Sequence, residues 1–184
     1  MNPDPLDFLL TDLDRVLAED SKGARVTRLL ADYAASGASD WRRFALFEAN
    51  YYSRNLIRRS DLYELIVLCW GPGQRSPIHD HAHQRCWMGV LDGRVKETIY
   101  RVQEGPQASA VQGPAREFAT GGVAYIVDDM GWHRIEPTGP GPAVTLHLYS
   151  RPIRECQIFD ESSGTVQTKR MSYHSIGGKV LSGA

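Results

Sequence analysis

The chain has 184 residues, 42% hydrophobic and 23% charged, and a formal net charge of −1. That length suits one well-packed domain, and the balanced charge, without a long run of one sign, argues against nucleic acid or an anionic membrane as partner. No stretch approaches the about 18 uninterrupted apolar residues of a membrane span, and the opening MNPDPLDFLL lacks a basic leader. Three widely spaced cysteines (Cys69, Cys86, Cys156) without a CxxC pair argue against a disulfide scaffold or a thiolate zinc site. These features predict a cytoplasmic protein.

The first 50 residues read as helical. Leu6, Leu9, Leu10, Leu13 and Leu17 recur at three- and four-residue steps, and Val26, Leu29, Leu30 and Tyr33 repeat the pattern before Gly37. A third short helix is expected over Trp41–Asn50. From about Leu62 the pattern changes to short apolar or alternating runs: Leu65–Trp70, Cys86–Leu91, Val95–Val102, Val123–Val127 and Ala143–Ser150. Gly/Pro clusters separate them at Gly71–Gly73, Gly113–Pro114 and Thr138–Pro142. Many short strands with such turns predict an antiparallel sandwich or barrel. The expectation is a mainly β protein, one domain over 1–184, with a helical part at 1–50 packed outside a β-barrel at 51–184.

The chemistry concentrates in Gly73–Gln74–Arg75–Ser76–Pro77–Ile78–His79–Asp80–His81 and the residues up to Gly93. On an extended backbone His79 and His81 project from one face, where both can bind a single metal ion and leave coordination positions open. A third ligand must come from elsewhere, and His133, in Asp129–Met130–Gly131–Trp132–His133, is the candidate. In Val144–Thr145–Leu146–His147–Leu148–Tyr149 the alternation puts Thr145, His147 and Tyr149 on one face and the aliphatic residues on the other. Inside a barrel those three polar groups would have to be hydrogen-bonded, which makes a connected chain plausible. At the edge of a sheet they would simply face water.

The spacing Gly73, five residues, His79-x-His81, four residues, Cys86, six residues, Gly93 resembles the first motif of the cupin superfamily, with Cys86 in the place of its acidic ligand. The segment around His133 resembles the second motif, although Asp129 stands where proline is usual. The resemblance implies a double-stranded β-helix (jelly-roll) barrel. Further strings in the same order resemble the cysteine dioxygenases of the arginine type. They are Tyr52–Ser53–Arg54–Asn55–Leu56, Leu68–Cys69–Trp70–Gly71, Lys96–Glu97–Thr98, Gly131–Trp132–His133–Arg134 and Leu146–His147–Leu148–Tyr149–Ser150.

That resemblance implies an enzyme in which His79, His81 and His133 ligate Fe(II) and both atoms of dioxygen are added to the sulfur of L-cysteine, giving cysteine sulfinic acid. It implies Arg54 and Tyr52 on the substrate carboxylate, and Tyr149 as the active-site phenol, oriented through His147 and Thr145. Cys86 falls on a cysteine that in some relatives is joined to that tyrosine by a thioether. Cys69 and Cys156 are then packing residues, Trp70, Trp87 and Trp132 line the barrel or its mouth, and His83 and His174 are not ligands. Two readings compete: a sibling enzyme acting on 3-mercaptopropionate, and a non-catalytic cupin that binds a metal or small thiol. Arg54 argues against the first, whereas Arg151, after Ser150, adds a second cation that could reach a carboxylate. The expected assembly is a monomer or weak homo-oligomer.

Overall fold

The computed structural model describes residues 4–20, 22–103, 105 and 107–182. Two helices open the fold, α1 (Pro5–Glu19) and α2 (Val26–Ala35). Pro5 starts α1, where the missing N–H leaves no gap in the helical hydrogen bonds. The leucine stripe faces inward, with Leu6, Leu9, Leu13 and Leu17 buried. Each such side chain contributes roughly 1.5–3 kcal/mol by leaving water.

The expected third helix shrinks to a 3-10 turn over Asp40–Phe44. Asp40 ties the helices together, accepting the Leu6 N–H at 2.6 Å and the Tyr33 hydroxyl at 2.8 Å. Beyond Ala45 the Leu46 carbonyl is taken by the side chains of Ser53 and Asn55 instead of by a helical N–H.

Among the described residues thirteen strands follow: β1 (Ser53–Arg59), β2 (Glu64–Trp70), β3 (Ile78–His79), β4 (Cys86–Asp92), β5 (Arg94–Gln103), β6 (Ser109–Ala119), β7 (Val123–Ile126), β8 (Trp132–Pro137), β9 (Ala143–Tyr149), β10 (Glu155–Asp160), β11 (Thr165–Arg170), β12 (Ser175–Ile176) and β13 (Lys179–Val180). One sheet runs β13-β12-β1-β2-β9-β4-β7, the other β11-β10-β3-β8-β5-β6. Among the described residues all strand pairs are antiparallel except β1 with β12. The result is a mainly β, double-stranded β-helix barrel with two helices outside it.

β9 lies between β2 and β4 and is buried along its whole length. Its aliphatic face (Val144, Leu146, Leu148) packs in the same cluster as α1 and α2, which leaves Thr145, His147 and Tyr149 facing the barrel interior. The alternative of an edge strand in water is overturned. Trp87 corrects another expectation: it sits on the helix side, its Nε1–H donating to Thr27 at 3.1 Å, and does not line the barrel.

β6 corrects the turn expected at Gly113–Pro114. Those residues sit inside an eleven-residue strand, where the β5–β6 register shifts between Thr98 and Tyr100. β6 is an outer strand, so a proline lacking its N–H costs the sheet little there. Gly93 behaves as expected, joining β4 to β5 at φ +78°, and a Cβ there would come within 2.7 Å of the Pro142 carbonyl oxygen. Among the described residues no helix is long and apolar enough to cross a membrane.

Candidate metal centre

Three elements deliver the three histidines. His79 ends β3, opposite His133 on β8 and Ile158 on β10. His81 lies just past β3, where Asp128 accepts its backbone N–H at 2.8 Å and that of His83 at 2.6 Å. Asp80, between the two histidines, accepts the Gln157 N–H at 2.8 Å and pins the loop to β10. Gly131 precedes β8 at φ +121°, where a Cβ would come within 2.8 Å of the Tyr100 carbonyl oxygen. That close approach explains the glycine two residues before His133.

The ring nitrogens of His79, His81 and His133 lie within 4.8 Å of one another. Nε2 of His133 is 3.1 Å from Nε2 of His81 and 3.3 Å from Nε2 of His79. The outward nitrogens meet acceptors: Nδ1 of His133 lies 2.7 Å from Glu97 Oε1, and Nδ1 of His79 lies 3.0 Å from the Pro77 carbonyl. Nδ1 of His81 faces Asp128 at 3.4 Å, a contact too poorly aligned to satisfy it. With protons on the outward nitrogens, the inward Nε2 atoms carry only lone pairs. Three lone pairs converging in a buried space repel one another unless a cation sits among them. Two nitrogens about 2.0–2.1 Å from one metal at right angles are about 3 Å apart, so the spacing fits a metal ion bound on one face. Burial lowers the His79 pKa well below its ordinary value and takes His81 to about 4, with the neighbouring imidazoles adding to the effect. Neutral imidazole is the form that binds metal.

The second half of the cavity comes from the other sheet. Trp70 Nε1–H donates to Thr145 Oγ1 at 2.8 Å, and Thr145 Oγ1 lies 2.9 Å from His147 Nε2. The expected continuation from His147 to Tyr149 is not formed among the described residues. Their ring centres are 6.1 Å apart, and Nδ1 of His147 faces Cys86 Sγ at 3.9 Å. Side chains two apart on one strand stand side by side, so Tyr149 is set instead by neighbours on adjacent strands. Cys86 is its partner on β4 and Glu64 its partner on β2. The Arg54 guanidinium carbon lies 5.8 Å from the Tyr149 ring centre. Burial raises both the Tyr149 phenol and the Cys86 thiol above their ordinary ranges.

Arg54, on β1, is buried, with one contact to Glu64 at 3.3 Å and an Nε that has no partner among the described residues. Tyr52 stacks on Trp70 with ring centres 4.6 Å apart. Arg54, Tyr52, Tyr149, His147 and the three histidines all line one cavity. Thr145 lies behind it. Cys156, expected to be simple packing, lines this cavity too, 3.5 Å from Met171 Sδ. Arg151 does not: it is exposed, its N–H bonds to the Leu62 carbonyl, and it belongs to a separate depression with Asp61 and Gln84. His83 is exposed, and His174 is buried away from the cluster. Glu64, Asp128 and Tyr173 went unnoticed in the sequence, because a lone polar residue beside an apolar run carries no distinguishing spacing.

Fold and site together define a barrel with a three-histidine cluster fit to hold a metal ion and a buried arginine lining the same cavity. The family model for cysteine dioxygenase type I matches residues 5–162. Cysteine dioxygenase type 1 of Danio rerio is 34% identical over 184 residues, covering 95% of this chain and 89% of that protein. The Homo sapiens protein of the same name is 32% identical over 177 residues, covering 95% and 88%. A solved Klebsiella pneumoniae protein with a double-stranded β-helix domain superposes with a TM-score of 0.48 at 15% identity, over 71% of this chain and 93% of that one. The chain belongs to the cysteine dioxygenase type I family.

Proposed function

We propose that the protein binds Fe(II) through His79, His81 and His133 and adds both atoms of dioxygen to the sulfur of L-cysteine, giving cysteine sulfinic acid. The observation that carries this reading is the pairing, in one cavity, of three convergent Nε2 lone pairs with a buried arginine whose Nε has no partner among the described residues. When bound, the iron would supply a Lewis-acidic, redox-active centre for the thiolate and for dioxygen.

The protein's own groups do the rest. Three neutral imidazoles add no negative charge, so the site attracts an anionic thiolate. Arg54 receives the carboxylate through its planar fork, and the Tyr52 hydroxyl assists on the same group. Tyr149, kept protonated by burial, serves as a hydrogen-bond donor over the reacting sulfur. Trp70 and Thr145 fix the ring of His147, which shapes the wall beside Cys86. A chain that turns over in this way is one catalytic domain and works in the cytoplasm, in keeping with three cysteines that are all buried and unpaired.

Arg151 is exposed outside the cavity and Lys169 lines it only as an exposed side chain, so Arg54 is its buried cation, which favours a thiol that carries a carboxylate. Oxygen consumption by the iron-loaded protein, measured with L-cysteine, cysteamine and 3-mercaptopropionate in parallel, tests this. L-cysteine is expected to be turned over fastest, with sulfinate as product. Preference for 3-mercaptopropionate would assign the sibling activity, and no turnover of any thiol would leave a binding protein.

A further inference from the structure

Glu64 has no part in the reading above, yet it is a carboxylate with no exposed surface at the start of β2. A buried charge persists only when paired and hydrogen-bonded. Its Oε1 makes the single contact to Arg54 Nη2, and its Oε2 accepts the Tyr173 hydroxyl at 2.5 Å. Tyr173 lies on the segment between β11 and β12, beyond the stretch that the family model matches. That segment is tied directly to β1, since His174 N–H donates to the Arg54 carbonyl at 2.7 Å and Ser175 Oγ donates to Asn55 Oδ1 at 2.7 Å.

We propose that Glu64 and Tyr173 form a clamp that keeps the Arg54 fork open, and thereby set the preference for thiols that carry a carboxylate. A carboxylate beside a guanidinium favours two parallel bonds. Glu64 makes one, because Tyr173 holds its other oxygen. The donors left over on Arg54 are the ones a substrate carboxylate needs, and a guanidinium already anchored loses less freedom on binding it. Without the Tyr173 hydroxyl, Glu64 is free to pair with Arg54 on both oxygens and to compete with the substrate. Glu64 and Tyr173 are thus positioning residues that act through Arg54. This inference rests on the assignment of Arg54 to the substrate carboxylate.

The test compares the KM of L-cysteine with the inhibition constant of cysteamine, which lacks a carboxylate, in the iron-loaded full chain. Tyr173→Phe removes one oxygen from a half-buried ring and is expected to raise the L-cysteine KM about three- to tenfold, the scale of one ordinary hydrogen bond. The cysteamine constant should stay where it is. Glu64→Gln placed on top of Tyr173→Phe should recover much of the loss, because the neutral amide competes poorly for Arg54. In an Arg54→Gln background Tyr173→Phe should add nothing. If Tyr173→Phe weakens both thiols equally, or neither, while Arg54→Gln selectively weakens L-cysteine, the clamp is wrong and the carboxylate assignment stands. If Arg54→Gln itself weakens both thiols equally, both fall together.

Discussion

Cys86 and Tyr149 face each other directly across the β4–β9 ladder, so their side chains rise on the same inner face of the sheet. Adjacent registers in antiparallel strands bring opposing Cβ atoms to about 4.5–5.5 Å. A thioether between the two would remove two hydrogens, with dioxygen accepting them and their electrons. After aerobic incubation with iron and L-cysteine, peptide mass spectrometry should therefore find a joined Cys86–Tyr149 fragment two hydrogens lighter than its parts. Only unmodified peptides after many turnovers would make Cys86 a packing residue.

Removing one ligand should empty the metal centre. His133→Ala is expected to lose iron retention and turnover together, since the two remaining imidazoles, at and just past the end of β3, cannot hold the ion against dilution. Metal analysis of the purified variant checks this, and full occupancy would exclude His133 from the ligand set.

Arg54→Gln should lower kcat/KM for L-cysteine by about 2–4 kcal/mol of transition-state binding, with a far smaller effect on cysteamine. The variant also leaves Glu64 without its cation, so its thermal midpoint must be measured beside the kinetics. Equal losses on both thiols with an unchanged midpoint would make Arg54 a general feature of the cavity and not a carboxylate reader.

The metal-free protein should lose stability in acid. His79, His81 and His147 are all held below their unfolded pKa, chiefly by burial. Unfolding therefore takes up protons once the pH drops below the unfolded value of about 6.5. The contribution is complete above that pH and is lost as pH falls toward about 4, the value for His81. Each such histidine steepens the decline by up to about 1.4 kcal/mol per pH unit. Denaturant midpoints of chelator-treated protein between pH 7.5 and pH 4.5, roughly the window set by those values, should fall steadily. A flat profile would mean that the rings are protonated or exposed in the native state.

Gly93→Ala should destabilise the fold by about 1–3 kcal/mol without touching the cavity. The added Cβ meets the Pro142 carbonyl oxygen at 2.7 Å at a backbone angle that side chains avoid. Urea unfolding measures the loss, and wild-type stability would show that the β4–β5 turn relaxes freely.

Part of the site was legible because metal chemistry imposes spacing: His79 and His81 stand two apart although only His79 lies on β3, and Gly93 makes the expected tight turn. The alternation through Thr145, His147 and Tyr149 likewise announced which face points inward. The supporting contacts were not legible. Glu97 meets His133 across 36 residues, and Asp128 meets the His81 N–H across 47. Nothing local in either neighbourhood encodes such a meeting. The Thr145–His147–Tyr149 relay failed at its last link because alternation states which face a side chain takes, not which neighbour it touches. β6 was missed because Gly113 and Pro114 read as a turn, whereas an outer strand tolerates both.

The parallel pairing of β1 with β12 has a consequence for how the molecule assembles. Ser175 meets Asn55 across 120 residues of chain, whereas His79 and His133 meet across 54. Contacts that close longer loops carry a larger entropic cost and tend to form later. The metal end of the cavity is therefore expected to be in place before the segment that carries Tyr173 docks on β1. During refolding, pulsed hydrogen exchange should protect the His133 strand earlier than the β1–β12 amides, so that a nascent molecule can take up its ion before Tyr173 reaches Glu64.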